Sequence, residues 1–244
     1  MSTEQDYRST GISLLDAIDF NKKNSTLTFG GAYTSDTVTP SNDQPGGDKK
    51  TADVLFGLTQ VLSPTTLFSL NLCVGRTEGY LSDPYKVVEL NGVLVPEQRP
   101  DSKTKTIAYM SLTQFVTPVD GSIELSYRHY SDSFGINAET LSAEWYQKLS
   151  PEFILVPGIR YYDQTAADFY DVRFSGSPTD YSSDYRLSAL QTLGYWLKLI
   201  WKPSARLSLD AGFERYEQKG KDTVTPKEVY PAANVFIVGV RLWL

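Results

Sequence analysis

Residues 122–130 read SIELSYRHY, and apolar and polar side chains alternate along this stretch. Successive side chains of a β-strand point to opposite faces, so one face here would carry Ile123, Leu125 and Tyr127 and the other Glu124 and Arg128. Residues 206–214, RLSLDAGFE, repeat the pattern. Such strands separate an apolar environment from a polar one.

The alternation recurs through the whole chain, whereas helical periodicity is not persuasive anywhere. We count eleven strands of this kind. They begin near Gly11, Thr26, Thr51, Leu67, Thr104, Gly121, Asn137, Phe153, Tyr185, Arg206 and Asn234. The prediction is an all-β protein formed by a single domain over residues 1–244.

The composition narrows the class of protein. No window approaches the 18 or so apolar residues of a membrane helix, so this chain would meet a bilayer only as strands. The 29 acidic against 23 basic side chains provide no basic stripe and argue against nucleic acid as a partner. The single cysteine, Cys73, has no disulfide partner, and no motif for a metal or another cofactor is present.

The connections between the predicted strands alternate in length. Short turns occur at DFNKKNS, LSPTT, TPVDG, SPE and KPSA, and long polar loops lie between them, roughly at residues 36–50, 79–102, 164–184 and 217–231. Only SDSFG, residues 131–135, is a short member of the second set. Outer-membrane barrels have short periplasmic turns and longer extracellular loops. The parity therefore favours a transmembrane antiparallel up-and-down β-barrel in the bacterial outer membrane.

The chain ends in NVFIVGVRLWL, residues 234–244, with no polar tail. If the short turns are periplasmic, this strand descends to the periplasmic rim. Gly239, Leu242, Trp243 and Leu244 are similar to the ending by which the barrel-assembly machinery recognises its substrates, with the terminal aromatic residue one place early. The alternative is a strand of a soluble β-sandwich or ligand-binding barrel. Aromatic residues near the strand ends, an aromatic girdle, favour the membrane.

Eleven strands is an odd number, whereas bacterial single-chain barrels close with an even number. We therefore expect that one or more N-terminal strands are lacking, that the parent barrel has twelve to sixteen strands, and that a signal peptide precedes them.

Several stretches resemble a family of Gram-negative outer-membrane proteins known as domain of unknown function 3570. They are EQDYRSTGISL at 4–14, GYLSDPYKVV at 79–88, VPEQRPD at 95–101, YYDQTAADFYDVRFSG at 161–176 and YSSDYRLSAL at 181–190. The resemblance covers the whole chain and implies a membrane barrel, often encoded near periplasmic redox and flavin-attachment proteins. It supplies no catalytic residues.

The alternation assigns charged residues of both signs to the lumen side. They are Asp53, Glu124, Arg128, Glu144, Lys148, Arg160, Arg186, Lys198, Asp210, Glu214 and Arg241. Such a set can line a weakly selective pore, or it can close the lumen by ion pairs. Function is therefore expected to be a passive channel for small polar solutes, or a scaffold for periplasmic or surface partners, redox proteins among them.

One alternative is enzymatic. His129 and Ser131 share the apolar face near the extracellular rim, as do the Ser and His of outer-membrane phospholipases that cleave lipid esters. Asn137, on the next strand, would orient His129 only if the hairpin register places it on that face. An ordinary interface histidine is the simpler interpretation, so no catalytic residue is assigned. The remaining expected partners are outer-membrane lipid and the barrel-assembly machinery.

Overall fold

A computed structural model describes residues 2–42 and 44–243. Strands dominate it, accompanied by four short 3-10 helices at Asn21–Lys23, Thr117–Val119, Tyr185–Leu187 and Lys227–Val229. The strands are β1 (Ser2–Thr3), β2 (Tyr7–Phe20), β3 (Ser25–Val38), β4 (Gly47–Ser63), β5 (Thr66–Gly79), β6 (Val87–Leu90), β7 (Val93–Pro96), β8 (Ser102–Val116), β9 (Gly121–Asp132), β10 (Asn137–Lys148), β11 (Phe153–Gln164), β12 (Arg173–Phe174), β13 (Leu190–Ser204), β14 (Leu207–Gly220) and β15 (Ala232–Leu242). No helix among the described residues is long and apolar enough to span a membrane.

The main sheet has twelve strands in the order β1-β2-β3-β4-β5-β8-β9-β10-β11-β13-β14-β15, and neighbouring strands are antiparallel. Without the two-residue β1, eleven strands remain, as the alternation predicts. One predicted start is wrong. Residues Tyr185–Leu187 form a 3-10 helix, and the strand begins at Leu190. The up-and-down order confirms a barrel-type sheet and contradicts a two-sheet sandwich.

The register gives the sheet one polar and one apolar face. A row of directly paired residues crosses seven strands on the inner face: Asn71, Tyr109, Arg128, Thr140, Tyr162, Thr192 and Gln218. The adjoining row on the outer face is Leu70, Met110, Tyr127, Leu141, Tyr161 and Leu193. Outer side chains such as Leu141 and Leu197 are about half exposed, as a lipid-facing belt requires.

The aromatic residues do not all belong to the outer belt. Trp201 stacks on Phe153 on the outer face, with ring centroids 6.0 Å apart. Trp196, however, lies on the inner face over Gly158, where its indole leaves no room for a Cβ. Neighbouring aromatic residues such as Tyr161 and Tyr162 also point to opposite faces. The girdle therefore contains fewer aromatic residues than the sequence predicts, because every second side chain of a strand points inward.

Connections at the two ends of the sheet differ as predicted. Four-residue or shorter turns join the strands at one end, and the longer segments 39–46, 80–101, 165–189 and 221–231 lie at the other. We name residues 80–101 together with 165–189 the cap. Within it β6 and β7 form a hairpin, and β12 adds to β6 in parallel. Backbone bonds between Gln98 and Tyr181 also join the two segments.

The sheet ends at β15 on one side and, on the other, at the two-residue β1, which covers only the start of β2. Among the described residues β2 and β15 do not pair with each other. Most residues of both strands are exposed on both faces. Every strand between them pairs on two sides. The number of strands in the closed barrel therefore stays a prediction.

The outer belt can be tested by placing a charge in it. Leu197, at the middle of β13, faces outward, and Leu197→Lys should destabilise the protein in lipid vesicles by about 2–4 kcal/mol because a lysine there loses its hydration. Thr113→Lys is the matched control, since Thr113 pairs with Glu124 on the inner face. Guanidinium-induced unfolding measures both changes. Equal costs for the two variants would contradict the assigned faces.

Candidate functional site

A cavity of about 620 Å³ lies against the inner face of strands β8–β11, β13 and β14. Its wall carries charged, hydroxyl and amide side chains, among them Arg128, Arg160, Tyr162 and Gln164. Arg186 of the cap also lines it. The cavity therefore lies directly beneath the cap, on the polar side of the sheet.

The part of this cavity nearer the short turns is acidic. Glu124 on β9 is the direct register partner of Glu144 on β10, so two carboxylates lie side by side. The Tyr146 hydroxyl donates a hydrogen bond of 2.5 Å to Glu144 Oε2. This hydrogen bond stabilises the Glu144 carboxylate and offsets part of its repulsion with Glu124.

Nearer the cap the wall is basic. The guanidinium carbon of Arg128 lies 5.8 Å from the ring centre of Tyr130, and that of Arg160 lies 5.4 Å from the ring of Trp196. Neither arginine has a carboxylate within 4 Å among the described residues. Each guanidinium group therefore contacts an aromatic ring instead of a carboxylate, and both arginines line the cavity.

The two segments of the cap are joined by buried ions. Glu97 and Asp184 have side chains that are 0% and 1% exposed. Arg99 Nη2 donates to Glu97 Oε2 at 3.2 Å and to Asp184 Oδ2 at 2.9 Å. Arg186 Nε donates to both Asp184 oxygens at 2.9 and 2.8 Å, and its Nη2 reaches Asp83 at 2.9 Å. Asp184 thus connects residues 80–101 to residues 165–189.

An apolar cluster supports the same cap from below. Phe134, Ile136, Ala167, Phe169 and Leu187 are buried together, and the rings of Phe134 and Phe169 meet edge to face with centroids 4.9 Å apart. Phe134 and Ile136 come from the short β9–β10 turn. Burial of this kind contributes about 25 cal/mol for each Å² removed from water, so the cap is a packed structure rather than a loose loop.

The ionisation of Asp184 reflects these contacts. Burial alone would raise its pKa, but hydrogen bonds and charge from Arg186, with a further contribution from Arg99, lower the pKa below the ordinary 3.8. The hydrogen bond from Arg186 to Asp184 in turn raises the pKa of that guanidinium. The pair is therefore fully charged at neutral pH.

The structure brings together five of the eleven predicted lumen residues. Glu124, Arg128, Glu144, Arg160 and Arg186 line the cavity. Arg186 does so from the cap, which corrects its predicted place on a strand. Its segment has a strand-like composition, but Asp184 caps a helical turn there by accepting a hydrogen bond from the Arg186 amide.

The remaining predicted residues lie away from this cavity. Asp53 pairs with Lys105 at 2.9 Å, and Lys148 pairs with Asp120 at 3.1 Å beside a periplasmic turn. The register puts Lys198, Asp210, Glu214 and Arg241 on the inner face of β13–β15. Asp210 lies across Gly239, where a Cβ would come within 2.6 Å of its carboxylate.

Several inner-face lysines are not predicted by the sequence pattern, among them Lys103 and Lys105. Lys103 lies 3.3 Å from the buried carboxylate of Asp132, and Lys105 holds Asp53. Both are on β8, where Ile107 also points inward and Ala108 outward. The apolar Ile107 makes the alternation irregular, so the polar face of β8 is hard to recognise in the sequence. Its signal is the even spacing of Lys103, Lys105 and Tyr109.

The outward-facing polar residues form a separate group. His129 pairs directly with Glu139, and His129 Nδ1 donates to Glu139 Oε1 at 2.7 Å. Ser131 pairs with Asn137, so both share the outer face with His129. Glu139, rather than Asn137, therefore orients the imidazole. Sequence spacing could not show this, because the hairpin register decides it.

The predicted assembly signal is described in part. Gly239 and Leu242 lie on β15, the indole of Trp243 lies 5.9 Å from the Arg241 guanidinium, and Leu244 is outside the described residues. Its role stays a prediction. Among the described residues no group of three side chains suits a metal ion.

Solved structures similar to this chain are outer-membrane proteins. The siderophore receptor PirA from Acinetobacter baumannii aligns with a TM-score of 0.56 and 12% identity, over 97% of this chain and 40% of the receptor. A loop-deletion mutant of OmpT, an outer membrane protein of Vibrio cholerae, aligns with a TM-score of 0.50 and 11% identity, over 89% of this chain and 62% of that one. This chain thus spans less than two thirds of either. No curated protein matches it.

The apolar belt, the strand order and these folds define a transmembrane β-barrel protein of the bacterial outer membrane. The chain belongs to the family described as "Protein of unknown function (DUF3570)", whose model matches residues 1–47 and 41–240.

The cap should open when Asp184 loses its charge. Because the pKa of Asp184 is lowered in the folded protein, its stabilisation is present above about pH 4 and is lost as pH falls through the folded pKa. Asp184→Asn should open the cap already at neutral pH, at a local cost of roughly 3–5 kcal/mol, since two arginines lose their buried partner.

Hydrogen exchange of residues 80–101 and 165–189 between pH 7 and pH 3 measures this opening. Asp171→Asn is the control, because Asp171 is exposed and accepts only from the neighbouring Val172 amide. Equal protection in both variants at neutral pH would show that Asp184 does not hold the cap.

Proposed function

We propose that this protein is a passive channel for small polar solutes whose extracellular mouth is constricted by the cap. The observation that carries the proposal is the polar row on the inner face, which crosses seven neighbouring strands and of which six residues line a cavity instead of being packed shut. An aqueous path needs such a wall, because solutes exchange their water for fixed hydroxyls and charges.

The cap explains how such a channel would be restricted. It lies at the end of the cavity, contributes Arg186 to its wall, and is held by ions as well as by an apolar cluster. The other role within the same class is a closed barrel that scaffolds a periplasmic or surface partner, including a redox protein. In that case the cap would remain shut and no solute would pass.

Recording in planar bilayers distinguishes the two roles. A channel should show steady conductance, and Asp184→Asn should raise it because the cap loses the carboxylate that joins its segments. Asp171→Asn should conduct like the unmodified protein. Silence of both the unmodified protein and Asp184→Asn, with folding verified by strand-type circular dichroism, would reject the channel and favour the scaffold.

A second candidate function is hydrolysis of lipid esters at the outer surface. The hydrogen bond of 2.7 Å between His129 and Glu139 favours it, because a general base needs a group that fixes its tautomer. Ser131 lies two residues further along the same face, near the extracellular end of β9. In this mechanism Ser131 would be the nucleophile, His129 the base and Glu139 the orienting carboxylate.

Phospholipid hydrolysis in mixed micelles tests the enzymatic candidate. Ser131→Ala and His129→Ala should each lower the rate by roughly 10³-fold or more, as loss of a nucleophile or base does. Ser126→Ala, on the inner face, should keep the rate. A purified, folded protein that hydrolyses no phospholipid would eliminate this candidate.

A further inference from the structure

Three arginines line the cavity, and among the described residues only Arg186 of the three has a carboxylate within 4 Å. Arg99, Arg186 and Arg215 each lie within 4 Å of a carboxylate, but Arg128 and Arg160 do not among the described residues. Both line the cavity beneath the cap. Two positive charges on one wall therefore lack an internal counter-ion.

The geometry keeps the hydrogen-bonding edges of both guanidinium groups available. Each group lies over an aromatic ring, with the guanidinium carbon 5.8 Å from the Tyr130 ring centre for Arg128 and 5.4 Å from the Trp196 ring centre for Arg160. The attraction of a cation to a ring needs no hydrogen-bond acceptor, so the N–H donors of both groups remain available. These donors form the fork that fits a carboxylate or phosphate with two bonds.

The space between the two arginines is lined with neutral donors. Arg128 is on β9 and Arg160 on β11, and β10 lies between them with Thr140 and Ser142 on its inner face. Thr140 is the register partner of Arg128, and Ser142 is the register partner of Arg160. Hydroxyl groups next to each arginine can thus add hydrogen bonds to an oxyanion that a guanidinium group holds.

The neighbouring charges confine the anion to this level. Glu124 lies four residues from Arg128 toward the periplasmic end of β9, about 13 Å along the strand, and is paired with Glu144. On the cap side, Arg186 is already occupied by Asp184 and Asp83. Among the described residues that line this cavity, the positive charges without a carboxylate partner are therefore those of Arg128 and Arg160.

We infer that Arg128 and Arg160, with Thr140 and Ser142 between them, bind a small oxyanion that carries a carboxylate or phosphate group. The inference rests on the proposed channel, because it names the class of solute that would pass along this wall. The site holds the anion on its path rather than transforming it.

Two measurements test the site. Calorimetric titration of the purified protein in detergent with sodium phosphate and with sodium acetate should show saturable binding of at least one of them. Arg128→Gln combined with Arg160→Gln should weaken it by about 10-fold or more, since two charge-assisted contacts are lost. Arg128→Lys combined with Arg160→Lys should retain part of the affinity, because the charge remains and the fork is lost.

Arg76→Gln is the matched control, because Arg76 is exposed on the outer face beside Glu78. This variant should bind the anions as the unmodified protein does. If the double variant does not fold, Arg160→Gln alone should still weaken binding. The absence of saturable binding to the unmodified protein, or equal affinity in the glutamine variants, would overturn the anion site.

The same variants in planar bilayers separate this inference from the proposed function. The unmodified channel should prefer chloride over potassium, and the double glutamine variant should lose that preference. A channel that conducts without anion preference and binds neither probe would overturn the site alone. A silent barrel that binds phosphate or acetate at these arginines would overturn the channel and leave the site standing.

Discussion

The structure depends on one constraint: inside hydrocarbon, each backbone N–H and C=O group must find its partner within the protein. Antiparallel pairing satisfies it for the strands of the main sheet between β2 and β15, each of which has a neighbour on both sides. Once strands pair in this way, their alternation divides the protein into a face for lipid and a face for water. The lumen, its charges and the cap all lie on the second face.

The inner face shows how a polar wall is kept stable beside a membrane. Large inward side chains lie across small residues of the next strand, as Trp196 does over Gly158 and Asp210 over Gly239. Charged groups are then paired, as in Asp53 with Lys105, or laid against aromatic rings, as with Arg160. The cap adds buried ions and an apolar cluster at the extracellular end. In the proposed channel, these contacts of the cap set the access of solvent to the cavity.

Much of the fold follows from short-range pattern. The alternation in SIELSYRHY correctly separates Glu124 and Arg128 from Leu125 and Tyr127, and the parity of the connections predicts which end carries the cap. The rule fails where a residue leaves the strand. Arg186 looks like a strand residue, but Asp184 starts a helical turn and draws it into the cap. Nothing local indicates this, since Asp184 is placed by Arg99, distant in sequence.

The candidate sites required the register as well as the pattern. The pattern does not place Lys105 on the inner face because Ile107 and Ala108 break the alternation on β8. It does not place Trp196 because aromatic residues suit either face. The pairing of Glu139 with His129 depends on the register of the β9–β10 hairpin, which the sequence alone does not give. The placement of Arg128 and Arg160 on one wall likewise depends on two strand pairings that a single sequence does not specify.

The central claim is that the apolar faces of these strands contact lipid while the charged faces contact water. It is tested most directly by spin labels placed singly at residues 123–128 in a Cys73→Ser background, reconstituted in vesicles. Labels at Ile123, Leu125 and Tyr127 should collide with oxygen, and labels at Glu124, Ser126 and Arg128 with a water-soluble nickel complex. A profile without this two-residue period, or with the faces reversed, would contradict the account.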